Sequence, residues 1–520
     1  MTSPSVLRRP ERHTAPDSSV AWWWRFAPAA AALVILAGVA LRLWAHSALW
    51  LDEAQTVAFA KQPMSHLPAL LRTDGAPPLY YVVLHGWIKA FGDGIWAVRS
   101  LSMLASVLAL PAAWLVARRL GADREVAWIT VVLFAVNPWS IRYAGEARMY
   151  SLVALEVLLG MLALSRVHRR GDRLGMLGLA LCSADLLYTH YWAQFLLVTV
   201  GAGLVVVAWR RPGERRFVGR ALLGLVLGAL TFLPWVPIML YQAQHTGAPW
   251  AQAPNLGSLA ALPQDWSGGY ATAGTLGMLL LVVMLAVAIF IRRAPDGAVT
   301  LTRPGGTSAW LATVTAVTLL LALGAAMADN GAVVGRYTAV VVPLVLLLLA
   351  LGVARLPQPA AAAVLAGFTV LGLSTGVTAA TSPHTRADKV ANVLNASARE
   401  GDLIVYCPDQ LAPAVEARLH VTGVSRLELP SETDPSVVNW VDYKERVAAI
   451  QPRPTAARIE AFLKGDPGAS IWWVGTWDYR THTRICGPLY DRLLAGLGLP
   501  TVLVPDTGAF EHPGLQRFTH

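Results

Sequence analysis

The sequence carries little charge for its length, and this scarcity indicates the class of protein. Of its 520 residues only 14% are Asp, Glu, Lys or Arg, whereas 55% are hydrophobic. Soluble domains carry about 25% charged residues, so an ordinary soluble domain is excluded as the starting class. The composition instead predicts a polytopic membrane protein, because long apolar runs with few charges are stable in a bilayer.

Cysteine is also scarce, with three residues in the whole chain. Three cysteines are too few for a disulfide framework. Cys182 lies in an apolar run, whereas Cys407 and Cys486 share a later hydrophilic region and could pair if that region lies outside the cytoplasm. Two unpaired buried thiols explain the last two residues equally well, so both possibilities stay open.

Several motifs that would identify a cofactor or a partner are missing. The sequence contains no Walker, Rossmann or zinc-spacing motif, and no internal repeat, heptad or low-complexity tract. The net charge of +10 does not indicate nucleic-acid binding, because the basic residues form short clusters between apolar runs instead of a continuous stripe. We therefore expect no cofactor and no nucleic acid partner.

The sequence does contain many apolar runs that are long enough to cross a membrane, which takes roughly 20 residues each. They lie near residues 28–45, 95–117, 125–141, 149–165, 173–189, 190–208, 217–240, 272–291, 308–328, 337–354 and 358–380. The sequence thus predicts an α-helical membrane protein with about 11 transmembrane helices, in a membrane domain over residues 28–381.

The basic clusters between these runs predict the orientation. If every run is one crossing, the clusters fall on the side of the N-terminal tail 1–27, which the positive-inside rule then places in the cytoplasm of a multi-pass cell-membrane protein. The opposite face holds loop 46–94, whose apolar pieces predict interfacial helices, and loop 241–271. The odd number of spans also leaves residues 382–520 outside, where the strand and helix patterns predict an extracytoplasmic α/β domain.

Carboxylates collect on that outer face. Asp52 and Glu53 follow the first span directly, and Glu146 lies at the outer end of the third. Ionisable groups near bilayer depth mark functional sites, ion pairs or helix ends. The pair at 52 and 53 can therefore act chemically, or it can simply charge the N-terminus of an interfacial helix, where acids are favourable.

Cations are present on the same face. Arg336 begins a late span on the side where the positive-inside rule disfavours it, so it is either a snorkelling anchor or a clamp for a phosphate. Acids and phosphate-binding cations together suit sugar transfer from a lipid-phosphate donor. A carboxylate would take the proton of the acceptor hydroxyl, and cations would stabilise the charge on the leaving phosphate.

An ordered set of motifs resembles a known family. The motifs are "LWLDEA" (Leu49–Ala54), "GAPPLYYVVLHGWIKAFG", "RYAGEARMYSL" (Arg142–Leu152), "YTHYW" (Tyr188–Trp192) and "GRYTAVVVP". Over about the first 350 residues the chain resembles the GT-C integral-membrane glycosyltransferases. The similar branch contains protein O-mannosyltransferases, the aminoarabinose transferase acting on lipid A, and bacterial envelope mannosyl- and arabinosyltransferases.

This resemblance implies an inverting, metal-independent transfer from a polyprenyl-phosphate-sugar donor, and it implies roles for individual residues. Asp52 would be the catalytic base, with Glu53 as the second acid of the pair and Glu146 as the acid of the second loop. Arg336 and Arg148 would bind the phosphate and lipid of the donor, and Lys61 is added to them because of its place in the loop. For the sugar or acceptor the residues are His190, Tyr191, Tyr150 and, again from loop placement, His85.

The donor sugar and the acceptor are less determined. The "DEA" and "EARMY" patterns resemble mannosyl-type members, so we expect mannose, with arabinofuranose as the alternative. We see no inserted soluble domain of the kind that protein O-mannosyltransferases carry, which argues against a protein acceptor and favours an envelope glycan or lipoglycan.

A lipid-linked sugar flippase or transporter is the alternative of another class. Transporters usually place their charges near the midplane and often contain related halves. Here the charges lie at one end of the spans, which favours the transferase.

The aromatic residues of the terminal region allow two interpretations. Trp472, Trp473, Trp477 and Tyr479 suit a carbohydrate-binding surface, but a buried strand explains "IWWVGTW" equally well.

Overall fold

The computed structural model describes residues 23–44, 46–293, 299–329, 331–477, 479 and 482–519. Most of the cytoplasmic tail predicted for residues 1–27 lies outside these residues. Up to residue 381 the described chain is almost entirely helical. The helices are α1 (Trp23–Arg42), α2 (Leu51–Lys61), α3 (Leu67–Leu71), α4 (Leu79–Phe91), α5 (Ile95–Arg119), α6 (Arg124–Val136), α7 (Pro138–Ala144), α8 (Tyr150–Arg170), α9 (Arg173–Thr189), α10 (Ala193–Arg210), α11 (Arg215–Leu230), α12 (Val236–His245), α13 (Leu256–Trp266), α14 (Thr272–Phe290), α15 (Gly306–Asp329), α16 (Val342–Val353) and α17 (Gln358–Thr381).

Within the described residues, seven helical segments are long and apolar enough to cross a membrane, or eight if a bent pair counts as one span. The seven are α5, α8, α10, the continuous run Pro212–His245, α14, α15 and α17. Two shorter apolar helices, Ala27–Arg42 and α16, accompany them. The chain is therefore a helical, membrane-like protein, while the number of eleven spans stays a prediction.

The short helix α16 forms the centre of the bundle. Every residue of α16 except Leu351 is buried, as expected for a helix that is apolar on all sides. It packs against α6, α14 and α15. A Cβ atom on Gly352 would lie 2.3 Å from the carbonyl oxygen of Met284, so only glycine permits this close approach to α14.

The third predicted span, 125–141, is broken in the structure. Helices α6 and α7 meet at Asn137 with a bend of 56°. Pro138 occupies the first position of α7, and the Asn137 side chain accepts the Ser140 N–H at 3.0 Å. Proline and an Asn cap start a new helix instead of continuing the old one. The bend carries the chain toward the loop that holds Glu146.

Beyond residue 382 the described chain forms a mixed five-stranded sheet with flanking helices. The elements are α18 (Ala387–Ser397), β3 (Leu403–Cys407), α19 (Ala412–Glu416), β4 (Ser425–Glu428), α20 (Tyr443–Ala449), α21 (Pro452–Gly465), β5 (Ile471–Gly475), α22 (Gly487–Leu497), β6 (Thr501–Val504) and β7 (Gly514–Phe518). Strands β1 (Ile291–Arg293) and β2 (Val299–Leu301) form a separate small hairpin between α14 and α15. The strand order is β4-β3-β5-β7-β6. Strand β3 is parallel to β4 and β5, and β7 is antiparallel to β5 and β6.

The structure answers two questions that the sequence left open in this region. Cys407 and Cys486 form a disulfide, with their Cα atoms 5.5 Å apart. Trp472 and Trp473 are buried in β5, so the buried-strand interpretation holds for these two residues. Trp477 lies beyond the strand and is 46% exposed.

The sheet region rests directly on helix α2. Trp50 and Leu51 belong to the same hydrophobic cluster as Val405 and Trp473 of the sheet. The Val438 N–H also donates to the Gln55 side chain at 2.9 Å. The last part of the chain therefore shapes the surroundings of the two acids at the start of α2.

Candidate functional site

The site is organised around Asp52 in the first turn of α2. Its Oδ2 lies 3.6 Å from Nη1 of Arg336, and both side chains are less than 20% exposed. Arg336 stands on the short 3-10 helix Gly335–Val340, just before the buried helix α16. The guanidinium also lies over the rings of Trp50, Trp250 and Tyr337, at 5.7, 4.7 and 5.6 Å. Aromatic faces hold a cation in place without neutralising it.

A cavity of about 280 Å³ opens beside this ion pair, and we call it the Asp52 cavity. Six of the predicted site residues line it, namely Asp52, Arg148, Tyr150, His190, Tyr191 and Arg336. Apolar side chains also line it, among them Phe195, Met239 and several alanines of α15. A charged end beside an apolar wall suits an amphipathic ligand with an anionic head.

Arg148 ties the loop between α7 and α8 to α2. Its Nη1 donates to the Thr56 hydroxyl at 2.7 Å and, at 3.4 Å each, to the Asp52 carbonyl and the Tyr81 hydroxyl. Arg148 therefore fixes the backbone of Asp52, and its Nε is buried without a hydrogen-bond partner among the described residues.

The "YTHYW" turn between α9 and α10 supplies two further side chains. The His190 Nδ1 atom accepts the Trp192 N–H at 3.1 Å, so the ring proton is on Nε2. The ring lies between those of Tyr150 and Tyr337, with centroid distances of 6.1 and 5.4 Å. The Tyr191 hydroxyl donates to Gln242 and accepts from the Trp235 indole, which fixes its position at the cavity wall.

Glu146 lies on a second, larger cavity of about 830 Å³, which we call the Glu146 cavity. The Glu146 carboxylate is 3.3 Å from Arg142 Nε, but both of its oxygens are buried without a hydrogen-bond partner. Burial raises the pKa of Glu146 to about 7. The Asp265 side chain and the rings of Trp50, Trp250 and Phe510 also belong to this wall. Arg336 lines both cavities and so stands between them.

Glu53 is placed differently from its neighbour. Arg99 Nε and Nη2 donate to its two oxygens at 2.7 and 2.6 Å, and the Ala147 N–H donates at 2.7 Å. Both charged side chains are at most 1% exposed, and Glu53 lines neither cavity. This geometry is that of a buried ion pair that holds α2, α5 and the second loop together.

The structure also places two of the predicted residues away from the cavities. Lys61 ends α2, roughly 14 Å along the helix from Asp52, and pairs with Asp93 at 2.6 Å in an exposed ion pair. His85 lies on α4, where its Nδ1 contacts the Ala60 carbonyl at 2.7 Å. Placement in the same loop does not bring either residue to Asp52, and their predicted roles are not supported by the geometry.

Arg99 and Glu511, two buried charged residues that contact α2, were not predicted from the sequence. Arg99 stands in the first turns of α5, and a charge inside the apolar run "IWAVRSL" is the signal that could have drawn attention to it. Glu511 gives no such signal. Its Oε1 accepts the Leu51 N–H at 3.0 Å, and its Oε2 is buried without a hydrogen-bond partner. Burial raises the pKa of Glu511 to about 8.

Glu511 belongs to a segment of the sheet region that reaches the site. Gly508, Ala509 and Phe510 line the Glu146 cavity. The Phe510 ring packs edge-on against Trp50, with the centroids 5.3 Å apart. A residue far along the chain thus caps the helix that carries Asp52.

Metal ligands are not grouped in the described part of the chain. No three His, Cys, Asp or Glu side chains there are arranged so that they could hold a metal ion. The metal independence implied by the resemblance stays a prediction.

A family model matches part of the chain. Residues 69–250 match the model described as dolichyl-phosphate-mannose-protein mannosyltransferase. This segment includes Glu146, Arg148, Tyr150, His190 and Tyr191. It does not include Asp52 and Arg336, the ion pair at the centre of the site. No curated protein sequence matches the chain significantly.

Solved structures match over nearly the whole chain. ArnT from Cupriavidus metallidurans, bound to undecaprenyl phosphate, has a TM-score of 0.55 at 13% identity, over 96% of this chain and 98% of its own. The apo state of the same protein gives 0.54 at 12% identity, over the same shares of both chains. The oligosaccharyltransferase of Archaeoglobus fulgidus, tethered with an acceptor peptide, has a TM-score of 0.49 at 11% identity, over 95% of this chain and 74% of its own. The chain therefore has the fold of ArnT. Together with the family model over residues 69–250, this confirms the resemblance predicted from the sequence motifs.

Proposed function

We propose that the chain transfers a sugar from a polyprenyl-phosphate-sugar donor to an envelope glycan or lipoglycan at the outer membrane face. The observation that carries this proposal is the pair of Asp52 and Arg336, a carboxylate that lines the Asp52 cavity and a guanidinium that lines both cavities. A base and an anion clamp within one ligand length of each other are what a direct displacement from a phosphate requires.

The donor fits the Asp52 cavity. The guanidinium groups of Arg336 and Arg148 would bind the phosphate, and the apolar side chains of Phe195 and Met239 would receive the start of the lipid. The similar fold of ArnT, which was solved bound to undecaprenyl phosphate, supports a lipid-phosphate ligand. Tyr150, His190 and Tyr191 would contact the sugar.

The acceptor fits the Glu146 cavity. Its wall combines aromatic rings, which pack against sugar faces, with carboxylates, which accept hydrogen bonds from hydroxyl groups. Neither oxygen of Glu146 accepts a hydrogen bond from the described residues, and Oε1 lies 3.3 Å from Arg142 Nε. An acceptor sugar there would direct one hydroxyl across the boundary toward Asp52.

The chemical step then follows from these positions. Asp52 takes the proton of the acceptor hydroxyl, and the oxygen attacks the anomeric carbon on the face opposite the phosphate. The carbon–oxygen bond to the phosphate breaks, and the electron pair leaves with the lipid phosphate, whose charge Arg336 stabilises. The product has inverted configuration. Glu53 acts in this scheme as a positioning residue, because its contacts hold α2 in place.

Mannose is the sugar that we propose. The match of residues 69–250 to a family model named for a mannose donor supports it.

The function is tested with labelled donors in reconstituted vesicles that contain the membrane's own lipids and glycans as acceptors. The panel contains polyprenyl-phospho-mannose and polyprenyl-phospho-arabinofuranose. Transfer of label from mannose donor to acceptor, with release of polyprenyl phosphate, is the expected result. Movement of intact donor between leaflets without its consumption would show a flippase instead.

Replacing Arg336 with Ala is expected to weaken donor binding by about 2 kcal/mol or more, because a charge-assisted contact to the phosphate is lost. Donor affinity is measured by titration with a fluorescent polyprenyl phosphate-sugar. Arg72→Ala is the matched control, since Arg72 is an exposed arginine that stacks on Tyr241 and lines neither cavity. Unchanged affinity in Arg336→Ala would indicate an anchoring role only.

Glu511 offers a prediction that separates hydrogen bonding from charge. Glu511→Ala removes the cap of α2 and is expected to lower turnover by about tenfold, since a lost cap costs about 1 kcal/mol and displaces the group that reacts. Glu511→Gln keeps an oxygen that can accept the Leu51 N–H and should retain most of the turnover. Equal loss in both variants would contradict a positioning role.

The variant Glu511→Gln is also expected to change how the stability of the fold depends on pH. The pKa of Glu511 is about 8 in the folded protein and 4.5 when unperturbed, so the folded state binds more protons between these values. The contribution of this group to the free energy of unfolding therefore falls as pH rises through that window. Glu511→Gln should make the fall between pH 5 and 8 shallower in thermal unfolding, whereas an unchanged slope would refute the assignment.

A further inference from the structure

A second ligand-sized space lies at the other end of the helices that build the site. This groove, of about 510 Å³, lies between the end of α5 and the start of α9 and runs over the last turns of α8. We call it the arginine groove. Its lining includes Arg119, Arg166, Arg169, Arg170 and the leucines 115, 162 and 174.

The arginine groove is remote from Asp52. Helix α5 contacts Glu53 through Arg99 and reaches the groove at Arg119, 20 residues later. At about 1.5 Å per residue, the two points are about 30 Å apart, which is the thickness of a bilayer's hydrocarbon core. A ligand in the groove is therefore a different molecule from the donor and acceptor, and it lies at the opposite membrane face if α5 crosses.

The charges of the groove are mostly unpaired. Arg166 forms an ion pair with Asp172 at 2.6 Å. For Arg119, Arg169 and Arg170 there is no ion pair with any residue in the described ranges. The C-terminal ends of two helices attract cations here, but three guanidinium groups around one hollow repel one another. An anion between them would remove that repulsion.

The walls of the groove are apolar as well as basic. Leu174 is 65% exposed and Leu115 is 43% exposed, and both line the groove. A small soluble anion would bind the guanidinium groups and leave these leucines uncovered. A lipid satisfies both features, since its phosphodiester binds the arginines and its acyl chains cover the leucines.

From this combination we propose that the arginine groove binds an anionic phospholipid of the leaflet on that side. Basic pockets between spanning helices recognise such headgroups. The phosphodiester would accept hydrogen bonds from Arg119, Arg169 and Arg170, and the acyl chains would lie along Leu115, Leu162 and Leu174.

The test compares two variants with the same change in net charge. The groove variant carries Arg119→Gln, Arg169→Gln and Arg170→Gln. The control variant carries Arg210→Gln, Arg215→Gln and Arg216→Gln, which change exposed arginines that do not line the groove. Full-length protein is incubated with equal amounts of phosphatidylglycerol and phosphatidylcholine, and the lipids that remain bound are measured by native mass spectrometry.

The wild type and the control variant should retain phosphatidylglycerol over phosphatidylcholine, and the groove variant should lose this preference by at least about tenfold, given about 1 kcal/mol for each basic residue. Equal loss in the control variant, or no loss in the groove variant, would overturn the proposal. So would displacement of the lipid by inorganic phosphate at the same concentration, because the groove would then bind the phosphate alone. If the triple groove variant does not fold, the variant Arg169→Gln with Arg170→Gln takes its place, since both side chains are exposed.

Discussion

Replacing Asp52 with Asn is expected to lower turnover by about a hundredfold or more, while folding and donor binding remain intact. Asn has the size of Asp and keeps an oxygen toward Arg336, but it cannot take a proton from the acceptor hydroxyl. Arg336 stays in place because three aromatic rings surround its guanidinium. The variant is measured by single-turnover transfer at saturating donor.

Asp93→Asn is the matched control for this experiment. Asp93 is an exposed acid that pairs with Lys61 and lines neither cavity, so its variant should turn over as the wild type does. Near-normal turnover in Asp52→Asn would refute the assignment of the base. Lost donor binding in the same variant would show that Asp52 acts by holding Arg336 and the phosphate.

Breaking the buried ion pair of Glu53 and Arg99 is expected to have a large effect on the stability of the fold. Glu53→Gln or Arg99→Met should lower the free energy of unfolding by about 3 to 5 kcal/mol, because each leaves a buried charge without its partner. The double variant should be destabilised by less than the sum, since no charge is then left alone. Thermal unfolding in one detergent measures all three variants.

The exposed pair of Lys61 and Asp93 provides the comparison. Lys61→Met should change stability by less than about 1 kcal/mol, because more than half of each side chain is exposed to solvent. If Glu53→Gln instead unfolds as the wild type does and loses turnover, Glu53 would be a catalytic acid, as the sequence motif implies, and not a positioning residue.

The helical part of the fold could be predicted largely because each spanning helix is a local property of its own apolar run. Helices overlap all eleven predicted runs. The bend at Asn137 was not predicted, since hydrophobicity continues through the bend while the cap and the proline act only over one turn. The burial of α16 also depends on its neighbours, which a single run does not specify.

The site could be predicted in part. Asp52, Arg148 and Arg336 were assigned to one membrane face, and the structure brings all three to one cavity. A face, however, extends over many ångströms, so the same reasoning also selected Lys61 and His85, which point elsewhere. Which of the two adjacent acids faces the cavity depends on how α2 is rotated about its own axis. The contacts of α2 with the rest of the chain determine that rotation.

Long-range contacts set that rotation. Arg99 is 46 residues from Glu53 along the chain, and Glu511 is 460 residues from Leu51. No local pattern connects such pairs. The two residues that hold α2 in its orientation therefore became visible only in the folded structure.

The central claim is that a lipid phosphate lies against Arg336 with its sugar directed toward Asp52. The most direct measurement is an experimental structure of the Asp52→Asn variant with a bound polyprenyl-phospho-mannose, which the variant should bind without turning it over. The account predicts density for the phosphate at the Arg336 guanidinium, with the anomeric carbon on the side of residue 52 and the lipid along Phe195 and Met239. A phosphate bound away from Arg336, or a sugar directed away from residue 52, would contradict it.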